Sequence, residues 1–132
     1  MKITPDQARM IADEFMDAAS VIDDYLDANY KNIAREEYEY LNESFKTLMR
    51  MSSFATTMAV DLSIEEMEEP GKELLGVIKT TKEKIKTLKK IGHMIRVTAG
   101  LVDMAGAIAA KDPGAIFKSA KNLRKTIKEE PA

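Results

Sequence analysis

The chain has 132 residues, enough for one domain with a hydrophobic core that needs neither disulfides nor metal. It contains no cysteine and one histidine, which excludes disulfide scaffolds, thiolate catalysis and the usual Cys- and His-ligated zinc sites. The net charge of -2 is the sum of an acidic and a basic half. Residues 1–69 carry 16 acidic and 6 basic side chains, and residues 70–132 carry 6 acidic and 14 basic ones. We expect the two halves to pair mainly with each other; the alternative is a basic surface kept for an anionic partner.

The first predicted helix covers residues 5–28. Thr4 and Gln7 form a capping box, and Pro5 suits the first helical position. Apolar residues then alternate spacings of three and four, which predicts an amphipathic helix with one solvated face. These residues are Ala8, Ile11, Phe15, Ala18, Ile22 and Tyr25.

The second predicted helix covers residues 32–60. Its apolar repeat has the spacing of antiparallel bundles and coiled coils and runs through Tyr38, Leu41, Phe45, Leu48, Ser52, Ala55, Ala59 and Leu62. A second stripe of Met51, Phe54 and Met58 widens the apolar face. Methionine suits an adaptable partner groove, but we favour a broad core face here.

Four tyrosines surround the predicted turn between these two helices: Tyr25, Tyr30, Tyr38 and Tyr40. Tyrosine is enriched at protein interfaces, so they are candidate partner contacts together with Met51, Phe54 and Met58. A hydrophobic corner with its hydroxyl groups in water explains the tyrosines equally well.

After a turn at Glu69-Pro70-Gly71, one long helix is predicted over residues 72–110, because the apolar stripe keeps its register from Leu74 to Ala109. The alternative is a break at Gly92, since glycine is a poor helix former. An unbroken helix of ~55–60 Å would overhang its neighbours, and homodimerisation would cover the overhang. The last helix, residues 113–128, follows the stop and restart at Asp112-Pro113. The predicted fold is all-α: one antiparallel bundle of four to five helices.

Two features of the predicted long helix are candidate contact sites. Gly92, Ala99 and Gly106 recur every seven residues and predict close packing with the last helix or with the same helix of another subunit. A basic ridge of candidate anion contacts consists of Lys79, Lys82, Lys86, Lys89 and Arg96. No aromatic residue interleaves with it and the pI is ≈ 5.5, so nucleic-acid binding is the weaker alternative to a solvated ridge paired with the first two helices. His93 lies on this ridge and is predicted to be solvated and not catalytic.

The sequence contains no nucleophile elbow, phosphate loop, EF-hand loop or Glu-x-x-His motif, so we expect no enzyme activity, metal or cofactor. We predict a non-enzymatic helical interaction module, such as an adaptor, regulator, chaperone or toxin-neutralising partner, that binds a protein or itself. The alternative is a peripheral membrane protein that places residues 91–110 and the basic C-terminal helix on anionic lipid. The first residues lack the apolar run of a signal peptide, so a cytoplasmic location is expected.

Overall fold

The structure is a computed structural model that describes residues 3–57 and 64–129, with the backbone alone for residues 52–57. The described chain is an all-α bundle, which confirms the predicted fold class. Its five helices are α1 (Pro5–Asn29), α2 (Arg35–Thr57), α3 (Pro70–Thr87), α4 (Ile91–Ala109) and α5 (Pro113–Lys128). α1 packs against α2 and α3, while α4 packs against α2 and α5.

Hydrogen bonds between residues three or four positions apart determine where α1 and α2 begin. Thr4 Oγ1 accepts from the Gln7 N–H at 3.1 Å, and Gln7 Oε1 accepts from the Thr4 N–H at 3.0 Å, so the predicted capping box is present. α2 begins three residues later than expected, because the Ala34 N–H donates to Glu37 Oε1 at 2.8 Å and the Ala34 carbonyl accepts from the Tyr38 N–H at 3.0 Å. Residues 58–60 of the predicted second helix lie outside the described residues.

The prediction of one helix over residues 72–110 is wrong. The chain leaves the helical conformation at Leu88 (φ -72°, ψ 135°) and re-enters it after Lys90 (φ -95°, ψ 128°). The break therefore precedes Gly92, which is the second residue of α4. Folding α4 back against α2 and α5 buries an apolar face that a straight helix would leave in water. The overhang that argued for dimerisation does not exist.

The break also changes which face of α4 is buried. The predicted stripe is buried in α3, at Leu74, Ile78, Thr81 and Ile85. In α4 the same stripe faces outward, with Gly92 and Gly106 exposed and Ala99 and Val102 partly exposed. A different set enters the core: Met94, Val97, Leu101, Met104, Ala105 and Ile108.

The connections between helices are also part of the packing. Ile64 and Met67 are buried in the core, and the Met67 N–H donates to the Ile64 carbonyl at 3.1 Å in the turn before α3. A Cβ on Gly71 would collide with the Gln7 side chain, so glycine lets α3 begin directly against the α1 capping box. At the other end of the bundle, Asp112 Oδ1 accepts from the Ala115 N–H at 3.1 Å and caps α5 as predicted.

Candidate interaction surfaces

The structure does not gather the four tyrosines into one surface. Tyr25 is partly buried in α1, and Tyr30 lies in the α1–α2 turn with 56% of its surface exposed and Lys31 Nζ 5.8 Å from its ring centre. Tyr38 and Tyr40 are 38% and 39% exposed. They stand two positions apart on α2, which turns their side chains roughly 200° away from each other. The tyrosines therefore belong to separate parts of the surface.

Tyr38 continues along α2 into a line of partly exposed apolar residues. The α2 outer stripe consists of Tyr38, Asn42, Phe45 and Met49, whose spacings of four, three and four place them on one helix face. Three of its members are apolar: Tyr38 and Met49 are 38% and 37% exposed, and Phe45 is partly buried against the core. The sequence-based prediction has Tyr38 both in the core stripe and among the candidate partner contacts, has Phe45 in the core stripe alone, and includes neither Asn42 nor Met49.

The predicted methionine stripe can be followed in part. Met51 is partly buried and packs against the core, in agreement with the interpretation as a core face. The Phe54 side chain and the whole of Met58 lie outside the described residues.

Tyr25 lines a groove of about 560 Å³ between the C-terminal parts of α1 and α3. Val21, Ile85 and Leu88 give the groove an apolar floor, and Asp24 and Lys89 are at its edges. Burial raises the pKa of the Tyr25 hydroxyl above its ordinary value, and the nearby Glu37 carboxylate adds to the rise. Tyr25 is therefore neutral at physiological pH and contributes a hydroxyl dipole to this groove.

The residues of the basic ridge do not lie on one helix, and some of them form ion pairs within the chain. Lys82, with a side chain 15% exposed, donates to Glu14 Oε2 at 2.8 Å and lies 3.5 Å from Asp17 Oδ2, so it joins α3 to α1. Lys86 lies 3.2 Å from Glu83 on the same helix. Lys79 and Lys89 are exposed.

The break at residues 88–90 contains Lys89 and places Arg96 on a different helix from Lys79, Lys82 and Lys86. Arg96 Nε lies 3.7 Å from Glu129 Oε2. The expectation of a ridge along one continuous helix is therefore wrong. Pairing with the acidic half is found at Lys82.

His93 is not solvated, contrary to the sequence-based expectation. Its residue surface is 2% exposed, and its Nε2 lies 3.1 Å from the Thr126 carbonyl oxygen, which fixes the proton on that nitrogen. Nδ1 is buried and has no hydrogen-bond partner among the described residues. The ring therefore packs α4 against the last turn of α5, a structural position that its lysine neighbours in the sequence concealed.

Within the described part of the chain, the expected close packing of the last helix is not seen at Gly92 or Gly106. No atom of the described chain lies within 4 Å of a Cβ built on Gly92 or Gly106. The close approach occurs at Gly100, where a Cβ would stand 2.8 Å from Leu123 Cδ1. The sequence-based prediction does not include Gly100, because it selects the packing face of the helix from small residues spaced seven apart.

Both segments of the membrane alternative bury one apolar side in the bundle. Among the described helices α4 alone is long and apolar enough to cross a membrane, with a mean hydropathy of 1.2, but 50% of it is buried, and core helices of soluble proteins meet the same criterion. In α5 the buried residues are Ile116, Ala120, Leu123 and Ile127, and the exposed ones include Lys118, Lys121, Lys125 and Lys128. Insertion of the buried sides into lipid would require the bundle to open, whereas the outward side of α4 is partly exposed, and the membrane alternative stays a prediction.

The described part of the chain has no group of three or more His, Asp or Glu side chains placed to hold a metal ion. Comparisons with protein-family models, curated proteins and solved structures found no match to this chain. Any functional assignment therefore depends on the surfaces described above.

Proposed function

We propose that this chain is a non-enzymatic protein-interaction module that binds a protein partner through the α2 outer stripe. The observation that carries the proposal is the pair of large apolar side chains, Tyr38 and Met49, exposed on one face of α2 beside the partly buried Phe45. Six large apolar side chains are exposed in the described chain, and Tyr38 and Met49 are two of them that share one helix face.

The chemistry of the stripe suits a protein partner. Tyrosine offers a rigid apolar ring with a polar end, and methionine adapts its shape to an irregular surface. Two ion pairs line one edge of the stripe, Arg35 with Glu39 at 3.0 Å and Lys46 with Glu43 at 3.6 Å. Charged groups beside an apolar contact area are usual at the rim of a protein interface.

The test compares proteins that co-purify with tagged variants from the native cell. The double variant Tyr38→Ser/Met49→Ser is expected to weaken partner binding at least about tenfold, because each interface anchor that is removed costs about 1 kcal/mol or more. Far-UV circular dichroism checks that the helices are retained.

The matched control is Tyr40→Ser, since Tyr40 is exposed to the same degree on the other side of α2. It should retain the partner at the wild-type level. Equal recovery of the same proteins by the wild type, the double variant and the control would contradict the proposed surface.

A further inference from the structure

The outward face of α4 carries an apolar repeat that the described part of the chain covers only partly. The α4 seam consists of Gly92, Ile95, Ala99, Val102, Gly106 and Ala109, with alternating spacings of three and four. Gly92 and Gly106 are exposed, and the other four are partly exposed. This is the spacing of a helix face that packs against a second helix. Ile95 and Val102 also touch the core, yet all six residues keep part of their surface exposed.

We propose that the α4 seam packs antiparallel against the α4 seam of a second copy of this chain, forming a two-fold dimer. The inference rests on the proposed function, because it names one partner of an interaction module, but it uses a surface other than the α2 outer stripe. In such a contact residue i of one copy meets residue j of the other, and j meets i.

The sizes of the seam residues fit this arrangement. In one antiparallel register, Gly106 lies opposite Ile95 of the second copy, Ala99 opposite Val102, and Gly92 opposite Ala109. Each branched side chain thus meets a small residue that leaves room for it, which is how knobs fit into holes. A parallel pair would instead place each residue opposite its own copy, so that glycine faced glycine and valine faced valine.

The charges of α4 select the same register. α4 has two charged side chains, Arg96 and Asp103, and both are exposed at one edge of the seam. In the antiparallel register Arg96 of each copy lies opposite Asp103 of the other, which gives two attractive pairs across the two-fold axis. The parallel arrangement brings Arg96 to the level of Arg96 and Asp103 to the level of Asp103.

The bundle itself does not require the seam glycines. Among the described residues, no atom lies within 4 Å of a Cβ built on Gly92 or Gly106, whereas a Cβ on Gly100 would meet Leu123. Glycine within a helix is less favourable than alanine, so two glycines on an outward face weaken α4 without helping it to pack in the chain. A second helix backbone approaching this face would use the space they leave.

Sedimentation equilibrium of the full chain tests the dimer. The wild type should show a reversible monomer–dimer equilibrium below about 1 mM. Asp103→Arg alone and Arg96→Asp alone should each raise the dimer Kd at least about tenfold, because two attractive pairs become two repulsive ones. The double variant Arg96→Asp/Asp103→Arg restores the pairing with reversed signs and should return the Kd to near the wild-type value.

Gly106→Leu provides an independent test, since its side chain has room in the monomer but would meet Ile95 of the second copy. It should weaken the dimer at least about tenfold while the thermal midpoint of the dilute monomer is not lowered. Glu129→Gln is the control for Arg96, because it removes the Arg96–Glu129 pair without touching the seam, and it should leave the Kd unchanged.

A wild type that is monomeric up to about 1 mM would overturn the dimer, as would equal Kd values for the single and double charge variants. The two proposals fail separately. The double variant Tyr38→Ser/Met49→Ser should dimerise with the wild-type Kd. If the wild type is monomeric but the double variant still loses the protein partner, the dimer is refuted and the proposed function is kept.

Discussion

At the scale of single residues, two buried threonines have different surroundings. Thr81 Oγ1 donates to the Val77 carbonyl at 2.7 Å, whereas Thr98 Oγ1 is buried and has no hydrogen-bond partner in the described part of the chain. Both side chains are completely inaccessible to solvent. A buried hydroxyl without a partner has lost its water hydrogen bonds and gained nothing in exchange, so Thr98 destabilises the fold.

We expect Thr98→Val to raise the free energy of unfolding by roughly 1 kcal/mol, because valine has nearly the same shape and no polar atom to desolvate. Urea unfolding followed by circular dichroism measures the change. The same substitution at Thr81 removes an existing hydrogen bond and should bring no gain. A Thr98→Val protein less stable than the wild type would show that the hydroxyl has a partner after all.

Residue-scale predictions from the sequence succeeded where the interaction is local. The capping box of Thr4 and Gln7 and the cap at Asp112 involve residues three positions apart, so their geometry follows from the helix itself. His93 was misjudged because its partner, the Thr126 carbonyl, is 33 residues away. No local pattern identifies a contact of that kind.

At the scale of the helices, α4 and its glycines show what decides a packing face. α4 has small or apolar residues on most of its circumference, so its periodicity fits more than one buried face. The three non-helical residues at 88–90 interrupt the helical register between α3 and α4. The part of the predicted stripe that lies in α4 is therefore on the outward face of that helix. Gly100 then lies against α5, and Gly106 faces away from it.

Gly106→Ala is expected to raise the free energy of unfolding of the dilute monomer by about 0.5–1 kcal/mol, because the added methyl group has room and alanine is the better helix former. In Gly100→Ala the Cβ would stand 2.8 Å from Leu123 Cδ1, so the helix-propensity gain should be cancelled or reversed. Urea unfolding of both variants measures the difference. Equal stabilisation by the two substitutions would contradict the packing of α4 on α5.

At the scale of the whole molecule, the acidic and basic halves of the sequence become two parts of one bundle. α1 and α2 carry 11 of the 22 acidic side chains, and α3, α4 and α5 carry 11 of the 20 basic ones. Among the described residues, Lys82 supplies the ion pairs that cross between these parts, at Glu14 and Asp17. Lys82 and Glu14 are largely buried, so this pair is screened less than the exposed pairs elsewhere.

We expect Lys82→Met to lower the free energy of unfolding by about 1–3 kcal/mol at pH 7, since it leaves the Glu14 carboxylate without its charged partner. The hydrogen bond to Glu14 raises the pKa of Lys82 above its ordinary value of 10.5. The contribution of Lys82 is therefore complete below pH 10.5 and is lost as the pH rises through the raised pKa.

Urea unfolding of the wild type and of Lys82→Met between pH 7 and pH 12 checks this prediction. The difference in the free energy of unfolding should stay constant up to about pH 10 and shrink above it. Lys79→Met, on the same helix and exposed, is the control and should change the stability by less than about 0.5 kcal/mol. A difference that persists at the highest pH, or an equal effect of the control, would refute the role of this pair.

The sequence by itself determined the all-α class, the start of α1, the restart at Asp112 and the core face of α3. These features depend on spacing along one helix or on neighbours within a few residues, and such information is local. The tertiary structure decided where the predicted long helix breaks, which face of α4 is buried, and that His93 and Lys82 are engaged inside the bundle. Those outcomes depend on contacts between distant segments, because an apolar helix can bury several of its faces and only its neighbours select one.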